Sequence, residues 1–132
     1  MSQEDRETLE RIYGRWAQGN FWEFESFDED VRARWATEVP DMHTSEGIDG
    51  LAELLSHWLA AWQVCRIEAE EFHDAGDRIV AFVRVRARGS GSEIDLEMEN
   101  AHVWTMRDGQ ALAIRAYSDR ERALREAGLE QH

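Results

Sequence analysis

The fold is decided by the stretch SEIDLEMENAHVWTMRDGQALAIRAYSD, residues 92–119. Its side chains alternate strictly between two faces from Glu93 to Met106, and a period of two over so many residues is typical of a β-strand with one buried face. An Asp-Gly pair at 108–109 is the strongest short-range signal for a hairpin turn. We therefore predict a long β-hairpin whose arms cover residues 93–106 and 111–117.

One face of the first arm is apolar except for two polar side chains. Its members are Ile94, Leu96, Met98, Asn100, His102, Trp104 and Met106. A buried polar group without a partner costs about 1–3 kcal/mol. Asn100 and His102 therefore indicate either a hydrogen-bonded core or a pocket with a function, and the sequence leaves both interpretations open.

Length and composition predict one globular domain over residues 1–132. The formal net charge of −13 disfavours nucleic acid and anionic membranes as partners, because both are bound through clustered cations. All 15 cationic side chains are arginine, which excludes lysine Schiff-base chemistry. Cys65 is the single cysteine, so a reducing compartment fits. With no signal-peptide pattern and no apolar run of membrane length, we expect a cytoplasmic protein.

Helices come first in the predicted order of elements. Apolar spacing predicts three N-terminal helices, at residues 3–18, 21–27 and 49–62. A short strand at 31–37 and a loop at 38–48 separate the last two. Antiparallel strands at 64–73 and 79–88 then precede the hairpin, and a final helical turn covers 120–127. This order predicts an α+β fold in which helices pack on one face of a strongly bent sheet.

Several short motifs, in this order, are similar to those of the SnoaL-like branch of the nuclear-transport-factor-2-like superfamily. They are Trp16-Ala17-Gln18-Gly19-Asn20, Phe27-Asp28-Glu29-Asp30-Val31, Gly47-Ile48-Asp49-Gly50-Leu51, Ala75-Gly76-Asp77-Arg78-Ile79-Val80, residues 103–110 and Tyr117-Ser118-Asp119-Arg120. That branch includes small polyketide cyclases and relatives of ketosteroid isomerase. The resemblance implies a cone, in which the curved antiparallel sheet and the helices enclose a deep, mostly apolar pocket. It also implies a homodimer that pairs through the sheet.

The catalytic residues of these relatives are only partly matched. For the steroid isomerases, the resemblance places the aspartate base at Trp35, the oxyanion aspartate at His102 and the tyrosine at Ile12, with Tyr13 one residue away. For SnoaL-like cyclases and limonene-epoxide hydrolases, it places the acid of the last strand at Ala116. His102 remains as the catalytic candidate, because an ordinary histidine pKa of about 6.5 suits acid–base work near neutral pH.

The predicted site therefore combines His102 with a set of ligand-binding candidates. These are Tyr13, Trp16, Trp35, Met42, Trp58, Met98, Asn100, Trp104 and Ala116. No metal-ligand spacing or cofactor motif is found, so neither group is expected. The favoured hypothesis is a protein that binds a small hydrophobic ligand of polycyclic or polyketide-like type. The alternatives are an isomerase, cyclase or hydrolase that uses His102 as a general acid–base, and a protein-interaction module.

Overall fold

The computed structural model describes residues 1–36 and 44–129, without the side chains of Trp35 and Ala36. The elements in chain order are α1 (Gln3–Trp16), β1 (Phe27–Ala36), β2 (Thr44–Glu46), α2 (Gly47–Leu59), β3 (Trp62–Ala75), β4 (Arg78–Gly89), β5 (Asp95–Arg107), β6 (Gln110–Tyr117) and α3 (Arg120–Glu126). The architecture is thus α+β, as predicted.

All six strands belong to one curved, unclosed sheet with the order β2-β1-β6-β5-β4-β3. Neighbouring strands are antiparallel except β1 and β6, which run parallel. The predicted hairpin is confirmed as β5 and β6. Its turn residues Asp108 and Gly109 have φ angles of 53° and 77°, and positive φ at both central positions is what a type I′ turn requires.

The prediction of three N-terminal helices is wrong. Residues 21–24 form no helix, and β1 already begins at Phe27. A helix of seven residues has little intrinsic stability, so tertiary contacts decide the conformation of this segment. Phe21 and Phe27 are both buried in the core, and the backbone carbonyl of Ser26 accepts a hydrogen bond from the amide of Ala111 in β6.

The sheet separates two buried clusters of side chains. We call the face covered by α1 and α2 the inner face; it carries the main core, with Leu9, Leu51, Val85, Trp104 and Met106 among its members. The outer face packs against α3 through a smaller cluster that includes Val80, Ala101, Val103, Tyr117 and Ala123. The alternation predicted for β5 is therefore confirmed, but the helices do not all lie on one face.

Ion pairs cover the outer face of β4. Arg84 contacts Glu70, Glu97 and Glu99, Arg86 lies 3.6 Å from Glu68, and Arg88 lies 2.8 Å from Asp95. Arg84 and Arg88 thus pair with the acidic face of residues 93–99 on the neighbouring strand. The same carboxylates hold α3 in place, because Arg120 donates to Glu70 and also to the backbone carbonyls of Val83 and Asn100.

Candidate functional site

The position of α1 determines the closed inner end of the candidate site, which we call its base. Asp5 Oδ1 accepts a hydrogen bond from the Gly109 amide at 2.8 Å, and Thr8 Oγ1 donates to the Gly109 carbonyl, also at 2.8 Å. A Cβ on Gly109 would lie 2.7 Å from the Glu4 side chain, so the close approach of helix and turn favours glycine there. These contacts place α1 against the inner face of β5, with Tyr13 facing the sheet.

A chain of buried hydrogen bonds joins α1 to β5. Trp104 Nε1 donates to the Tyr13 hydroxyl at 2.7 Å, and that hydroxyl lies 2.7 Å from His102 Nδ1. Each group finds a partner when the Tyr13 hydroxyl donates to Nδ1, so we assign the histidine proton to Nε2. Trp16 closes the cluster, with its ring edge-on to those of Tyr13 and His102.

Burial keeps this cluster uncharged. It lowers the pKa of His102 to about 3, because charging the ring inside the core would cost solvation. Burial also raises the pKa of Tyr13 well above its usual value, although the hydrogen bond from Trp104 opposes the shift. At neutral pH the cluster is a neutral set of donors and acceptors, so the argument that assigned His102 to acid–base work near pH 7 loses its basis.

Exposure increases along the inner face of β5 toward its N-terminal end and in the residues just before it. Trp104 and His102 are 0% and 3% exposed, Met98 is half-buried, and Leu96 and Ile94 are 45% and 69% exposed. Alternate residues of a strand are about 6.6 Å apart, so this row reaches from a closed base to an open end. Apart from Asn100 and His102, this face stays apolar along its length, although its outer end is no longer buried. We call the uncovered end, from Leu96 to Asn100, the mouth.

Two indoles lie where α2 passes into β3, at the same end of the sheet as the mouth. Trp58 and Trp62 pack edge-to-face with ring centres 5.6 Å apart, and both are half-buried against the main core. The Trp62 N–H is buried and has no acceptor among the described residues. Burial raises the pKa of the nearby Cys65 thiol to about 11, against a hydrogen bond with Trp58 that lowers it. The sequence predicts Trp62 only as the last residue of the helix at 49–62, and no signal in the sequence marks its unpaired donor.

The structure brings some predicted site residues together and leaves others apart. Tyr13, Trp16, His102 and Trp104 form the base. The resemblance places the family's tyrosine at Ile12, but the side chain that meets His102 is that of Tyr13, one residue away. Ala116 lies opposite His102 in register, and the backbone places Trp35 opposite Ala116.

The remaining predicted site residues are Met42, Trp58, Met98 and Asn100. Met42 lies outside the described residues. Trp58, Met98 and Asn100 are half-buried, and the described contact of Asn100 uses its backbone carbonyl, which leaves the side-chain amide available to the mouth.

The expected enclosed apolar pocket is not confirmed: in the part of the chain that the structure describes, the rings of Tyr13, Trp16, His102 and Trp104 pack against one another at the base. The surface carries cavities of about 260, 430 and 590 Å³; the 430 Å³ cavity touches Leu96, but most of its lining, including Arg66, Arg86 and Arg88, lies on the outer face. In residues 1–36 and 44–129, no three His, Cys, Asp or Glu side chains are grouped so that they could hold a metal ion. Within the same ranges, none of the helices has the length and apolar character needed to cross a membrane.

Comparison with known proteins gives the family. The model of the SnoaL-like domain matches residues 9–114. Solved structures with the same fold include TerC co-crystallised with polyporic acid, at 22% identity and a TM-score of 0.76 over 95% of this chain and 98% of that one. An NTF2-like protein of unknown function from Burkholderia pseudomallei aligns at 21% identity and a TM-score of 0.75, over 95% and 97% of the two chains.

A protein of ketosteroid isomerase-like fold from Catenulispora acidiphila, in complex with trimethylamine, aligns at 14% identity and a TM-score of 0.72 over 93% of each chain. A search of curated proteins gave no match. At these identities the solved structures establish the fold, whereas the family model covers most of the sequence. The chain therefore belongs to the SnoaL-like domain family.

Proposed function

We propose that this protein binds a small hydrophobic molecule, of polycyclic or polyketide-like type, against the inner face of β5 at the mouth. The observation that carries the proposal is the gradient of exposure along one apolar face, from fully buried Trp104 to Leu96 at 45%. An apolar sheet face that stays partly open to water is unfavourable for an isolated domain and is typical of a binding surface.

The polar groups at the mouth support a ligand that carries oxygen atoms. Ligand sites are mostly apolar and contain a few polar groups that orient the bound molecule. The half-buried Asn100 supplies such a group at the mouth, and the buried Trp62 N–H, at the same end of the sheet, would gain an acceptor from a ligand oxygen that reached it.

Related folds that hold small molecules give further support. TerC was crystallised with polyporic acid, and the Catenulispora protein with trimethylamine. Neither ligand is transferred to this chain at identities of 22% and 14%. They support only the general class of function, binding of a small molecule by the same arrangement of sheet and helices.

Binding is favoured over the enzymatic alternative because of the state of His102. A group whose pKa is about 3 is a weak base near pH 7 and is almost never protonated there, so it is a poor general acid as well. Turnover through His102 therefore requires a ligand that changes its surroundings. The protein-interaction hypothesis requires a macromolecule to cover the mouth in place of a small ligand.

Thermal unfolding against a panel of steroids, aromatic polyketides, terpenoids and fatty acids tests the proposal. A ligand at about 100 times its Kd adds about 2.7 kcal/mol to the free energy of unfolding, which is a shift of several degrees for a domain of this size. Leu96→Ala removes apolar contact area at the mouth, and we expect it to weaken binding about tenfold. Because Leu96 is partly exposed, the unliganded stability should change little.

Leu124→Ala is the matched control, since Leu124 packs on the outer face against the α3 cluster. It should lower the unfolding temperature of the free protein and leave the ligand-induced shift intact. The proposal is wrong if no class of compound produces a shift, or if both variants reduce the shift equally. The homodimer and the cytoplasmic location remain predictions, the first of which sedimentation velocity tests directly.

A further inference from the structure

A second concave surface lies on the outer face, far from the mouth. It is a groove of about 260 Å³ where β1, β6, β5 and β4 run side by side. Four of its lining residues are arginines, Arg32, Arg34, Arg78 and Arg115, and Thr44, Thr105 and Tyr117 also contribute. The only carboxylate among the described lining residues is that of Glu126, which lies 4.0 Å from Arg122 of its own helix.

Strand register places these arginines next to one another. Arg34 is opposite Arg115 in the parallel β1–β6 pair, and Arg32 precedes Arg34 on the same face of β1. Residues directly opposite in a sheet have Cβ atoms about 5 Å apart, and like charges at that distance destabilise the pair. The register thus puts two arginines side by side, and their like charges disfavour the pair while no anion is near them.

The other arginines of the outer face are arranged differently. Arg84, Arg86 and Arg88 each have a carboxylate within 4.0 Å. Among the described residues, none lies within that distance of Arg32, Arg34 or Arg115, although Glu46 faces Arg32 in register on β2. The chain has 28 acidic and 15 basic side chains, so unpaired arginines clustered in one groove are not a consequence of a general shortage of carboxylates.

We propose that this groove binds a small oxyanion, a carboxylate or a phosphate, between Arg34 and Arg115 with Arg32 at its edge. Guanidinium groups match the planar and tetrahedral oxygens of such anions and donate two hydrogen bonds at once. Thr44 and Thr105 add hydroxyl donors at the rim. The volume lies at the lower limit of small-molecule pockets, which suits an anion of few atoms rather than a large ligand.

Titration with sodium phosphate and with citrate, against sodium chloride at equal ionic strength, tests the proposal. Calorimetry and thermal unfolding of the full chain are the two readouts. Phosphate or citrate should raise the unfolding temperature beyond the effect of chloride, and the anion that binds more tightly identifies the chemistry. The double variant Arg34→Gln/Arg115→Gln should lower the affinity by about tenfold for each guanidinium removed.

Arg86→Gln/Arg88→Gln is the charge-matched control on the same face. It removes two arginines that are ion-paired, so it should keep anion affinity. At low ionic strength without anion, the groove variant should unfold at the same or a higher temperature than the wild type, because repulsion is relieved. Equal responses of the two variants, or an effect no larger than that of chloride, would overturn the proposal. So would a dimer that the groove variant alone dissociates, since the groove would then be a contact between two copies.

Discussion

Removing the Tyr13 hydroxyl should destabilise this protein more than its size suggests. In Tyr13→Phe the ring still packs between Trp16 and Trp104, but Trp104 Nε1 and His102 Nδ1 lose their shared partner. Leaving a buried donor or acceptor unpaired costs about 1–3 kcal/mol, so two such groups predict a loss of about 2–6 kcal/mol. For a chain of 132 residues this lowers the unfolding temperature by about 6–18 °C.

Urea unfolding followed by tryptophan fluorescence measures this loss, and Tyr117→Phe is the matched control. Tyr117 is equally buried, at 3% exposure against 3% for Tyr13, but packs on the outer face, and none of the described residues hydrogen-bonds its hydroxyl. We expect the control to change the free energy of unfolding by less than about 0.5 kcal/mol.

A double-mutant cycle separates the hydrogen bond from packing. In a His102→Leu background one of the two partners is already absent, so Tyr13→Phe should cost at least about 1 kcal/mol less than in the wild type. If Tyr13→Phe costs no more than Tyr117→Phe, or if the two substitutions are additive, the buried chain is not a coupled unit and the assigned state of His102 is refuted.

Three further predictions concern other groups. The pKa of His102 is about 3 in the folded protein and about 6.5 in the unfolded chain, so the stability that neutral His102 contributes is complete above pH 6.5 and is lost on acidification. In urea unfolding, the free energy of unfolding of wild type should therefore fall by about 1–2 kcal/mol more between pH 7 and pH 5 than that of His102→Gln. Arg120→Ala should cost about 2 kcal/mol, because its guanidinium holds two backbone carbonyls, whereas exposed Arg86→Ala should cost less than about 0.5 kcal/mol in the same assay. Cys65, with its pKa raised to about 11, should react with Ellman's reagent at pH 8 only after unfolding in urea, and rapid labelling of the native protein would contradict its burial.

Patterns of period two predicted the sheet well because they depend on local geometry. The alternation in β5 and the Asp-Gly turn predicted the hairpin and its two faces. The segment 21–27 was misassigned because its aromatic residues satisfy a helical pattern and a loop equally well. Only contacts with distant parts of the chain, such as the Ser26–Ala111 hydrogen bond, distinguish the two.

The candidate site was predicted in part. The position of His102 on the inner face follows from the alternation, but its charge state depends on burial by Tyr13 and Trp16, which come from 86 or more residues earlier in the chain. Likewise Arg34 and Arg115 are far apart in sequence, and the parallel β1–β6 pairing that makes them neighbours leaves no local signal. Distant pairing and burial are the properties that a periodic pattern does not contain.

The inner face of β5 connects stability with the proposed function. A single alternating pattern supplies the apolar side chains along its length. The two ends differ because α1 covers only the end that carries His102 and Trp104. The Gly109 contacts with Asp5 and Thr8 fix where α1 lies, so they also fix how far the cover extends. A substitution that weakens the contacts of Gly109 with Asp5 and Thr8 should therefore open the base to water, raise the pKa of His102 toward its ordinary value and extend the mouth inward. The boundary between the core and the mouth therefore depends on where α1 lies and not on the sequence of β5.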